Sequence, residues 1–438
     1  MLDKTKLLEQ FEKYKDYTED RINLGIEKNR KGFAHITIKD EDGNLLNGRI
    51  KIKQKNHAFK FGANIFMLDQ LENEDKNNLY KEYFKELFNM ATLPFYWIDL
   101  EPEKGKPRYS KDSINIYRRP AIDKCMEFCQ ENNIEPREHA LAYEHFFPKW
   151  LADASVEEVK SEYERRCKEI SERYADKINT IEVTNETWWG KGVTAIYEDP
   201  DFVEYAFKTA RKYFPKNKLG INEYSAIWSS DARAADRYYA QIESALLKGT
   251  PIDAIGMQYH MFSREENYIN DTRKYYNPKH LYKTMDLYSR FNKPIQVTEV
   301  TIPCYSNDEE NEELQAEILK WLYSIWFSHE NTEQIIYWNV VDGYAAFTEP
   351  GNMTGGENYY YGGLVRFDFT KKPSYYMLKD LIHNVWHTQE EKDFADGWTS
   401  FKGFYGDYDL EISVDGQKYE KEISLRKNYE NEFEIIVK

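Results

Sequence analysis

The chain has 438 residues, and 41% of them are hydrophobic, which is enough for a packed core and argues against wholesale disorder. This length exceeds what one simple core holds, whereas a barrel of about 250 residues with additions would fit. The formal net charge of −16 argues against nucleic acid and against an anionic membrane surface as partners, because both attract basic proteins.

Residues 1–30 are highly charged and have helical spacing, so we treat them as an N-terminal helical segment. They lack the apolar core of a signal peptide, and no run of 18 apolar residues occurs in the chain, so no transmembrane helix is expected. The sequence therefore predicts a cytoplasmic protein, or a secreted one whose signal peptide is absent from this sequence.

Two β-rich segments flank the middle of the chain. Residues 31–56 alternate between apolar and polar side chains around a turn signal at Asp42, which predicts a β-hairpin. Residues 389–438 have the same texture, with a second turn signal at Asp415. Together these accessory β regions predict a small β-sandwich built from both ends of the chain, or two separate β caps.

Between these segments, eight short apolar runs alternate with long stretches of helical spacing. The runs are FKFGANIF (59–66), NMATLPFYW (89–97), EHALAYEHF (138–146), INTIEVTNE (178–186), KLGINEY (218–224), IDAIGMQYHMF (252–262), PIQVTEVTI (294–302) and QIIYWNVVDGY (334–344). Eight strand–helix alternations predict an α/β fold, a (β/α)8 TIM barrel over residues 57–388.

The four cysteines give no sign of a metal site. Cys125 and Cys129 are four apart in a helix-like stretch, and no second pair has zinc-site spacing. We predict that these two, Cys167 and Cys304 are structural free thiols, which suits a reducing compartment.

In a barrel of this kind the chemistry lies at the carboxyl ends of the strands. The residues expected there are carboxylates, amides, histidines and aromatics: His139, Tyr143 and Glu144 on strand 3, Asn185 and Glu186 on strand 4, Asn222 and Tyr224 on strand 5, Gln258 and His260 on strand 6, Glu299 on strand 7 and Trp338 on strand 8. This composition is typical of a sugar site, and no glycine pattern of a nucleotide site occurs.

Two of these residues indicate the reaction. Glycoside hydrolysis needs two carboxyl groups that flank the bond to be cleaved. Glu186 and Glu299 come at the ends of strands 4 and 7, which face each other across a barrel mouth. Either glutamate alone would most simply be a surface or salt-bridged carboxylate. Two at matching strand ends, with Asn185 beside one of them, indicate a catalytic pair.

Several motifs then resemble those of glycoside hydrolase family 10, the retaining β-xylanases. They are VTNE at the end of strand 4, GINEY on strand 5, QYH on strand 6, VTEVTI on strand 7, EPEKG at 101–105 and GLVRFDFTKKPSYY at 363–376. The similarity spans residues 55–385, and the flanking β segments also resemble segments attached to some family members.

The resemblance implies that Glu299 is the nucleophile and Glu186 the general acid/base of a retaining double displacement, with carboxyl groups about 5–5.5 Å apart and no cofactor or metal. His260 is expected to donate a hydrogen bond to Glu299, which keeps the nucleophile ionised. Trp188, Trp189 and the charge of Glu299 are expected to raise the pKa of Glu186.

The other residues have expected roles in binding the sugar, each with a structural alternative. Asn185 would bond the sugar 2-hydroxyl or cap a turn, and Trp338 would form the floor of the site or belong to the core. His139 would bond a hydroxyl or a catalytic neighbour, or be a satisfied buried histidine. Gln258, Asn222 and Tyr224 would hold the nucleophile or sugar hydroxyls.

Three strand ends depart from the family pattern, all on the glycone side. Strand 2 ends in TLPFYW instead of a Glu-Asn-x-x-Lys arrangement, and strand 3 has Tyr143-Glu144 where Trp-His is usual. After strand 8, Ala345-Ala346-Phe347 stands where a tryptophan commonly covers the sugar. Glu144 would read an extra hydroxyl or a cationic group, or form a rim salt bridge.

The expected function is hydrolysis of β-1,4-xylosidic bonds in a plant-type polysaccharide or oligosaccharide, either xylan or xylo-oligosaccharides. Because the glycone side departs from the family, the same chemistry on a decorated or different β-glycoside stays open, as does a sugar-binding protein without turnover. An unrelated barrel such as an aldolase would need a Schiff-base lysine or phosphate-binding glycines, and neither is seen.

The role of the accessory β regions is also open between a carbohydrate-binding module and a structural lid on the barrel. We favour the lid, because their aromatic residues lie close together in sequence, as core side chains would: Phe401, Phe404, Tyr405 and Tyr408.

Overall fold

The structure, a computed structural model, describes residues 2–189, 193–234 and 236–438. Its N-terminal part contains α1 Lys4–Lys13, α2 Lys15–Asn29, β1 Lys31–Lys39 and β2 Gly48–His57. The side chain of Asp3 caps α1 by accepting a hydrogen bond from the Lys6 amide. Buried Arg30, which follows α2, donates to the carbonyls of Phe327 and Thr332, so the N-terminal helices are held against the central part of the chain.

The elements of the central part follow one another as alternating strands and helices. They are β3 Lys60–Asn64, α3 Glu74–Leu87, β4 Met90–Pro94, α4 Trp97–Leu100, α5 Ile122–Glu131, β5 Glu135–His139, β6 Ala142–Tyr143, α6 Val156–Tyr174, β7 Thr180–Asn185, α7 Phe202–Tyr213, β8 Lys218–Glu223, α8 Arg237–Leu247, β9 Ala254–His260, α9 Tyr268–Asp271, α10 Pro278–Tyr288, β10 Ile295–Thr301, α11 Glu309–Ser328, β11 Thr332–Tyr337 and α12 Pro373–Asp380.

Five further strands and several one-turn helices complete the chain. The strands are β12 Gln389–Phe394, β13 Trp398–Phe404, β14 Gly406–Val414, β15 Gln417–Leu425 and β16 Glu432–Ile436. A π-helical turn spans Leu381–Val385. The 3₁₀ turns are Glu144–Phe146, Lys149–Leu151, Thr187–Trp189, Ala195–Glu198, Ser225–Ser229, Glu265–Asn267, Ser289–Phe291 and Gly356–Tyr360.

Eight parallel strands close into a barrel, which confirms the predicted (β/α)8 fold. The order is β3, β4, β5, β7, β8, β9, β10 and β11, and β11 pairs back onto β3. β7 and β10 are buried along their whole length, because the barrel interior covers one face and helices cover the other. α6 begins with a capping box in which Ser155 and Glu158 each bond the other's backbone amide.

The third barrel strand begins earlier than the apolar run predicted. β5 covers Glu135–His139, whereas the run begins at Glu138. The sequence EPREH hides the strand, since its Arg137 looks solvent-exposed. In the structure that guanidinium is fully buried and paired with Glu182 on β7. Because β5 contains charged residues, one of them in a buried ion pair, it lacks the apolar run that identified the other strands.

The predicted hairpin over 31–56 is wrong, although both of its strands form. β1 lies in a three-stranded sheet of order β13-β1-β16, and β2 in a four-stranded sheet of order β12-β2-β14-β15. Each strand pairs with distant strands from the other end of the chain, so the turn at 40–47 crosses between two sheets. The second turn, at Asp415, does join a hairpin of β14 and β15.

These two sheets form the predicted sandwich and share one apolar core, which includes Ile36, Ile52, Phe401 and Tyr408. Tyr405 is partly buried against it, and Phe404 is buried in the barrel's own core. β2 ends at His57 and β3 begins at Lys60, so the sandwich joins the amino-terminal end of the barrel strands. It lies away from the strand ends that carry the candidate site.

The boundaries predicted between the helical segment, the β regions and the barrel stay a prediction.

The four cysteines are buried free thiols, as predicted, and burial raises the pKa of Cys129 and Cys167 to about 12. Within the described ranges, no helix combines the length and the apolar character needed to cross a bilayer.

Candidate active site

The carboxyl ends of the barrel strands surround a cleft of about 440 Å³. Nine of the eleven predicted site residues line it, together with residues that the sequence did not single out. The lining residues are Phe66, Tyr96, Arg118, Arg119, His139, Tyr143, Phe146, Asn185, Glu186, Tyr224, Ser225, Ala226, Gln258, His260, Phe262, Tyr275, Glu299, Trp338, Ala346, Phe347 and Glu357. Carboxyl, amide and aromatic groups therefore meet on one rim.

Glu186 follows directly after β7 and has a backbone φ of 52°, in the left-handed region that few non-glycine residues adopt. Such strain is most often retained at functional positions. One carboxyl oxygen accepts a hydrogen bond from the Tyr143 hydroxyl at 2.9 Å, and the other accepts one from Gln258 Nε2 at 2.8 Å. Residues of β6 and β9 thereby fix the side chain while it faces the cleft.

Glu299 lies in β10 and is 4% exposed. Its Oε1 accepts from Asn222 Nδ2 at 3.0 Å, and its Oε2 lies 3.0 Å from His260 Nε2. The other ring nitrogen of His260 is 2.9 Å from the Thr301 hydroxyl. If Thr301 donates to Nδ1, the proton of the neutral ring is on Nε2 and points at Glu299. The predicted contact between His260 and the nucleophile is present in this geometry.

Asn185 connects the two carboxyl groups. Its Oδ1 accepts from Asn222 Nδ2 at 2.9 Å and from Gln258 Nε2 at 3.2 Å, and these are the amides that bond Glu299 and Glu186. The arrangement leaves the Asn185 amide nitrogen without a partner among the described residues, so it is free to bond a ligand. The separation of the two carboxyl groups stays a prediction.

A second, deeper layer of polar groups supports the first. Glu182 of β7 is fully buried and accepts from Arg137, from His139 Nδ1 at 2.8 Å and from Asn222 Nδ2 at 3.3 Å. Burial alone would raise the pKa of Glu182, but Arg137 and His139 outweigh it and hold that pKa below its usual value. Hydrogen bonds to the Glu182 carboxylate thus join β5, β7 and β8 beneath the site.

Burial has a large effect on the titration of the site. It raises the pKa of Glu299 to about 8, with His139 opposing the shift and the charges of Glu182 and Glu186 adding to it. Burial lowers the pKa of His260 to about 4, so this ring is neutral near neutral pH. Burial also raises the pKa of Tyr143 well above 10, so its hydroxyl stays a donor.

Aromatic rings form the wall of the cleft at the ends of β3, β4, β5 and β11. Trp338 is buried, and the rings of Phe66, His139 and His260 meet it edge-on at 5.4–5.7 Å. The Tyr96 hydroxyl is 3.0 Å from His139 Nε2. Both ring nitrogens of His139 therefore have protein partners, a tyrosine and a carboxylate, which fits the alternative of a satisfied buried histidine.

Two residues expected at the site lie elsewhere. Glu144 does not line the cleft: its side chain is 0% exposed, because the 3₁₀ turn that starts at this residue directs it inward, near Tyr197. The expectation that Glu144 lies on the rim of the cleft is therefore wrong, and its expected contact with a hydroxyl or a cationic group stays a prediction. Trp188 packs edge-on against Tyr224 and Tyr238 outside the cleft. The expected role of the Trp189 side chain falls outside the described residues.

The arginines Arg118 and Arg119 are the most consequential residues that the sequence interpretation missed. They lie in the long loop between α4 and α5, which has no periodic pattern, and both side chains are buried. One feature of the sequence could have indicated them: the two arginines are adjacent in YRRP, which places two positive charges side by side. The sequence interpretation also missed Glu182, which lies in the middle of a predicted strand. It missed Tyr96 too, because TLPFYW at the end of strand 2 was considered only as a departure from the family pattern.

Three buried groups meet closely enough to hold a metal ion, namely His139, Glu182 and Glu299. Each of them already has protein hydrogen-bond partners: Tyr96 and Glu182 for His139, Arg137 for Glu182, and Asn222 and His260 for Glu299. A polar network therefore accounts for their proximity.

Comparison with known proteins gives a consistent result. The sequence profile described as glycosyl hydrolase family 10 matches residues 52–381, which is most of the chain. Endo-1,4-beta-xylanase 2 of Arabidopsis thaliana is 23% identical over 86% of this chain and 32% of its own length. Anti-sigma-I factor RsgI6 of Acetivibrio thermocellus is 24% identical over 93% of this chain and 48% of its own length. The chain thus spans a third to a half of these curated relatives.

Solved structures support the fold. Xylanase 10B of Thermotoga petrophila, in complex with xylobiose, superposes with a TM-score of 0.60 and 22% identity, over 74% of this chain and 94% of that one. An intracellular xylanase of Thermoanaerobacterium saccharolyticum, a mutant in complex with xylotriose, gives a TM-score of 0.57 and 20% identity, over 73% of this chain and 95% of that one.

Proposed function

The chain belongs to glycosyl hydrolase family 10, and from this we propose that it hydrolyses β-1,4-xylosidic bonds of xylan or xylo-oligosaccharides with retention of configuration. The observation that carries the proposal is the pair Glu186 and Glu299. The two carboxyl groups occupy one cleft, and each is held by its own donors. They are linked through Asn185, and glycoside hydrolysis needs two carboxyl groups that flank one glycosidic bond.

In the first step Glu299 attacks the anomeric carbon, and the bond from that carbon to the leaving oxygen breaks. Glu186 donates its proton to the leaving oxygen. In the second step water attacks the same carbon, Glu186 takes a proton from the water, and the bond to Glu299 breaks. Two displacements at one carbon restore its original configuration.

The contacts of Glu299 fit the role of nucleophile. Asn222 and His260 both offer N–H groups at 3.0 Å, which favours the ionised carboxylate that the attack requires. Burial opposes ionisation by raising the pKa of Glu299. The ionisation of Glu299 therefore sets the lower pH limit of activity.

Glu186 fits the role of acid/base because its carboxyl group faces the cleft beside the open amide of Asn185. Tyr143 and Gln258 fix its orientation. Asn185 is positioned to bond the sugar 2-hydroxyl, a contact that strengthens as the sugar gains oxocarbenium character. Trp338 provides an apolar surface beneath the sugar.

The proposal is tested by product analysis with a panel of substrates. The panel contains linear xylan, arabinoxylan, glucuronoxylan, xylo-oligosaccharides, mixed-linkage glucan, and aryl β-xylosides and β-glucosides. We expect the wild type to shorten one or more xylans and Glu299→Gln to be at least 10⁴-fold slower, on the order expected for loss of a catalytic nucleophile.

Other outcomes separate the alternatives. Cleavage of a non-xylan glycoside alone would keep the chemistry and change the substrate. Sugar binding without any product, in wild type as in the variant, would establish a binding protein without turnover.

A further inference from the structure

The glycone wall of the cleft carries two positive charges where the family resemblance implies an amide and a lysine. Strand 2 ends in TLPFYW and supplies neither group. The loop that follows brings in Arg118 and Arg119, which are 3% and 6% exposed. Both line the cleft, and both line a second cavity of about 550 Å³ beside it.

Arg118 is a buried guanidinium without an ion pair among the described residues. It donates to the Tyr344 carbonyl and, at 3.0 Å, to Asn339 Oδ1. Its Nε is buried and has no hydrogen-bond partner in the described part of the chain. Asn339 in turn donates to Glu357 at 2.7 Å, so a hydrogen-bonded amide connects Arg118 to this carboxylate. The backbone of Arg118 has a φ of 61°, a strained conformation that holds the side chain in this position.

Arg119 is held rigidly and keeps a donor open. Its Nε donates to Asp99 at 2.7 Å and its Nη1 to the Arg118 carbonyl at 3.1 Å, while its Nη2 makes no hydrogen bond to a described residue. The guanidinium lies 4.1 Å from the centre of the Tyr96 ring. A guanidinium fixed by an ion pair and an aromatic face loses little entropy when it binds an anion.

The second cavity is lined by the two arginines, by aromatic rings and by Asp99, whose charge is paired with Arg119. Tyr117, Phe146 and Phe347 provide rings on which a pyranose can pack, and Phe347 is 90% exposed. His145 also lines this cavity. The cavity is continuous with the cleft through Tyr143, the partner of Glu186, so a group bound there belongs to the glycone part of a substrate.

We propose that Arg118 and Arg119 form a subsite for the carboxylate of a uronic acid unit on the glycone side of the substrate. This inference rests on the proposed function. A carboxylate accepts two parallel N–H groups from guanidinium, and here it would also meet the positive charge that Arg118 leaves unpaired. The carboxylate belongs either to a uronosyl branch on a xylan chain or to a uronosyl residue within the chain itself.

The test compares acidic oligosaccharides with their carboxyl-reduced counterparts, which differ only at that group. One pair carries a glucuronosyl branch on xylotetraose, and the other carries a uronosyl residue at the non-reducing end of a linear chain. We expect the wild type to prefer the acid of one pair by roughly 10-fold or more in kcat/KM. The pair that shows the preference identifies the source of the carboxylate.

Two variants and a control assign the preference to the arginines. Arg119→Gln removes one charge, and Arg118→Lys keeps the charge but loses the planar fork, with less risk to folding. We expect each to lower kcat/KM for the acid by roughly 10- to 100-fold and for the reduced counterpart by less than about 3-fold. Arg273→Gln makes the same charge change at an exposed residue outside the cleft, and we expect it to alter neither value.

Two results would overturn the inference. One is a wild type that treats acid and reduced substrates alike, and the other is an equal loss on both substrates in the arginine variants. The second result would mean that the arginines bind neutral hydroxyl groups. Circular dichroism and thermal unfolding of each variant exclude a general loss of fold as the cause.

Binding measurements keep the inference separate from the proposed function. Calorimetric titration of the Glu299→Gln protein with each oligosaccharide measures affinity without turnover. If the wild type cleaves nothing but Glu299→Gln still binds the acid more tightly than its reduced form, the proposed function fails and the subsite stands. If Glu299→Gln shows no preference while the wild type cleaves linear xylan, the function stands and the subsite fails.

Discussion

Glu186 accepts hydrogen bonds from a phenol and an amide, whereas Glu299 accepts them from an amide and an imidazole and lies deeper in the protein. This difference in surroundings at the scale of single residues is what separates their proposed roles. The shared contact through Asn185 means that a change at one carboxyl group is felt at the other, and burial makes the titration of Glu299 the sensitive point.

We predict that activity is lost on the acidic side at an unusually high pH. The nucleophile must be ionised, and burial raises the pKa of Glu299 from 4.5 to about 8, so protonation removes the active form as pH falls through that value. The profile of kcat/KM against pH, which reports the free enzyme, should show an acidic limb displaced upward from 4.5 towards neutral or alkaline pH. An acidic limb at pH 4.5 or below would contradict this account.

Tyr143→Phe tests the orientation of the acid/base. The variant removes the hydroxyl that donates to Glu186 at 2.9 Å and keeps the ring packed on Phe146. We expect kcat/KM to fall roughly 10- to 100-fold, since hydrogen bonds to charged groups contribute about 1.5–3 kcal/mol, with thermal stability nearly unchanged. Tyr205→Phe, which removes a hydroxyl bonded to the Lys160 carbonyl on the outer helices, serves as the control and should leave kcat/KM unaltered.

The two glutamates of the proposed catalytic pair could be singled out from the sequence because each lies at or near the end of a strand whose apolar pattern is clear. The arginines could not, because Arg118 and Arg119 lie in an aperiodic loop whose path depends on tertiary contacts with Tyr344 and Asp99. Glu144 was misplaced because its orientation is decided by one 3₁₀ turn after β6, a local geometry that strand alternation does not describe.

At the scale of elements, the apolar runs predicted all eight strands of the barrel. The exception in position is β5, which begins earlier than its run and contains one residue of a buried ion pair. The ion pair of Arg137 and Glu182 joins β5 and β7, and both side chains are buried. The two strands of the N-terminal β segment were found as well, but their pairing was not. Alternation predicts that a strand has two faces and does not predict which strand lies beside it.

Arg137→Met should destabilise the barrel more than removing both charges. The single change leaves the buried Glu182 carboxylate without its arginine partner, and a buried ion that loses its partner costs about 3–5 kcal/mol. The double variant with Glu182→Gln should recover part of that loss. Urea unfolding of wild type, single and double variants measures this, and a double variant less stable than Arg137→Met would be evidence against it.

At the scale of the whole molecule, the β-sandwich is interwoven with the barrel at both ends of the chain. β2 lies between β12 and β14, and Phe404 belongs to the barrel's core cluster. His57, at the end of β2, meets the rings of Phe61 and Phe404, both at 5.7 Å. These contacts support a structural role for the sandwich, as favoured from the sequence, at the end of the barrel opposite the cleft.

Leu410→Ala tests that structural role. Leu410 is 1% exposed in the core of the sandwich, and truncation of such a side chain costs about 2–5 kcal/mol. If the sandwich and the barrel unfold as one unit, calorimetry should show a single transition at a lower temperature, with kcat/KM at 25 °C unchanged. A separate early transition, with the barrel's own transition unmoved, would mean that the sandwich is an independent module.

The central claim is that Glu186 and Glu299 carry out a retaining double displacement. The most direct measurement is the anomeric configuration of the first product, followed by ¹H NMR during hydrolysis of a xylo-oligosaccharide by the wild type beside Glu299→Gln. We predict that the β anomer appears first and later equilibrates with the α anomer, and that the variant gives neither. An α anomer formed first, or an undiminished rate in Glu299→Gln, would contradict it.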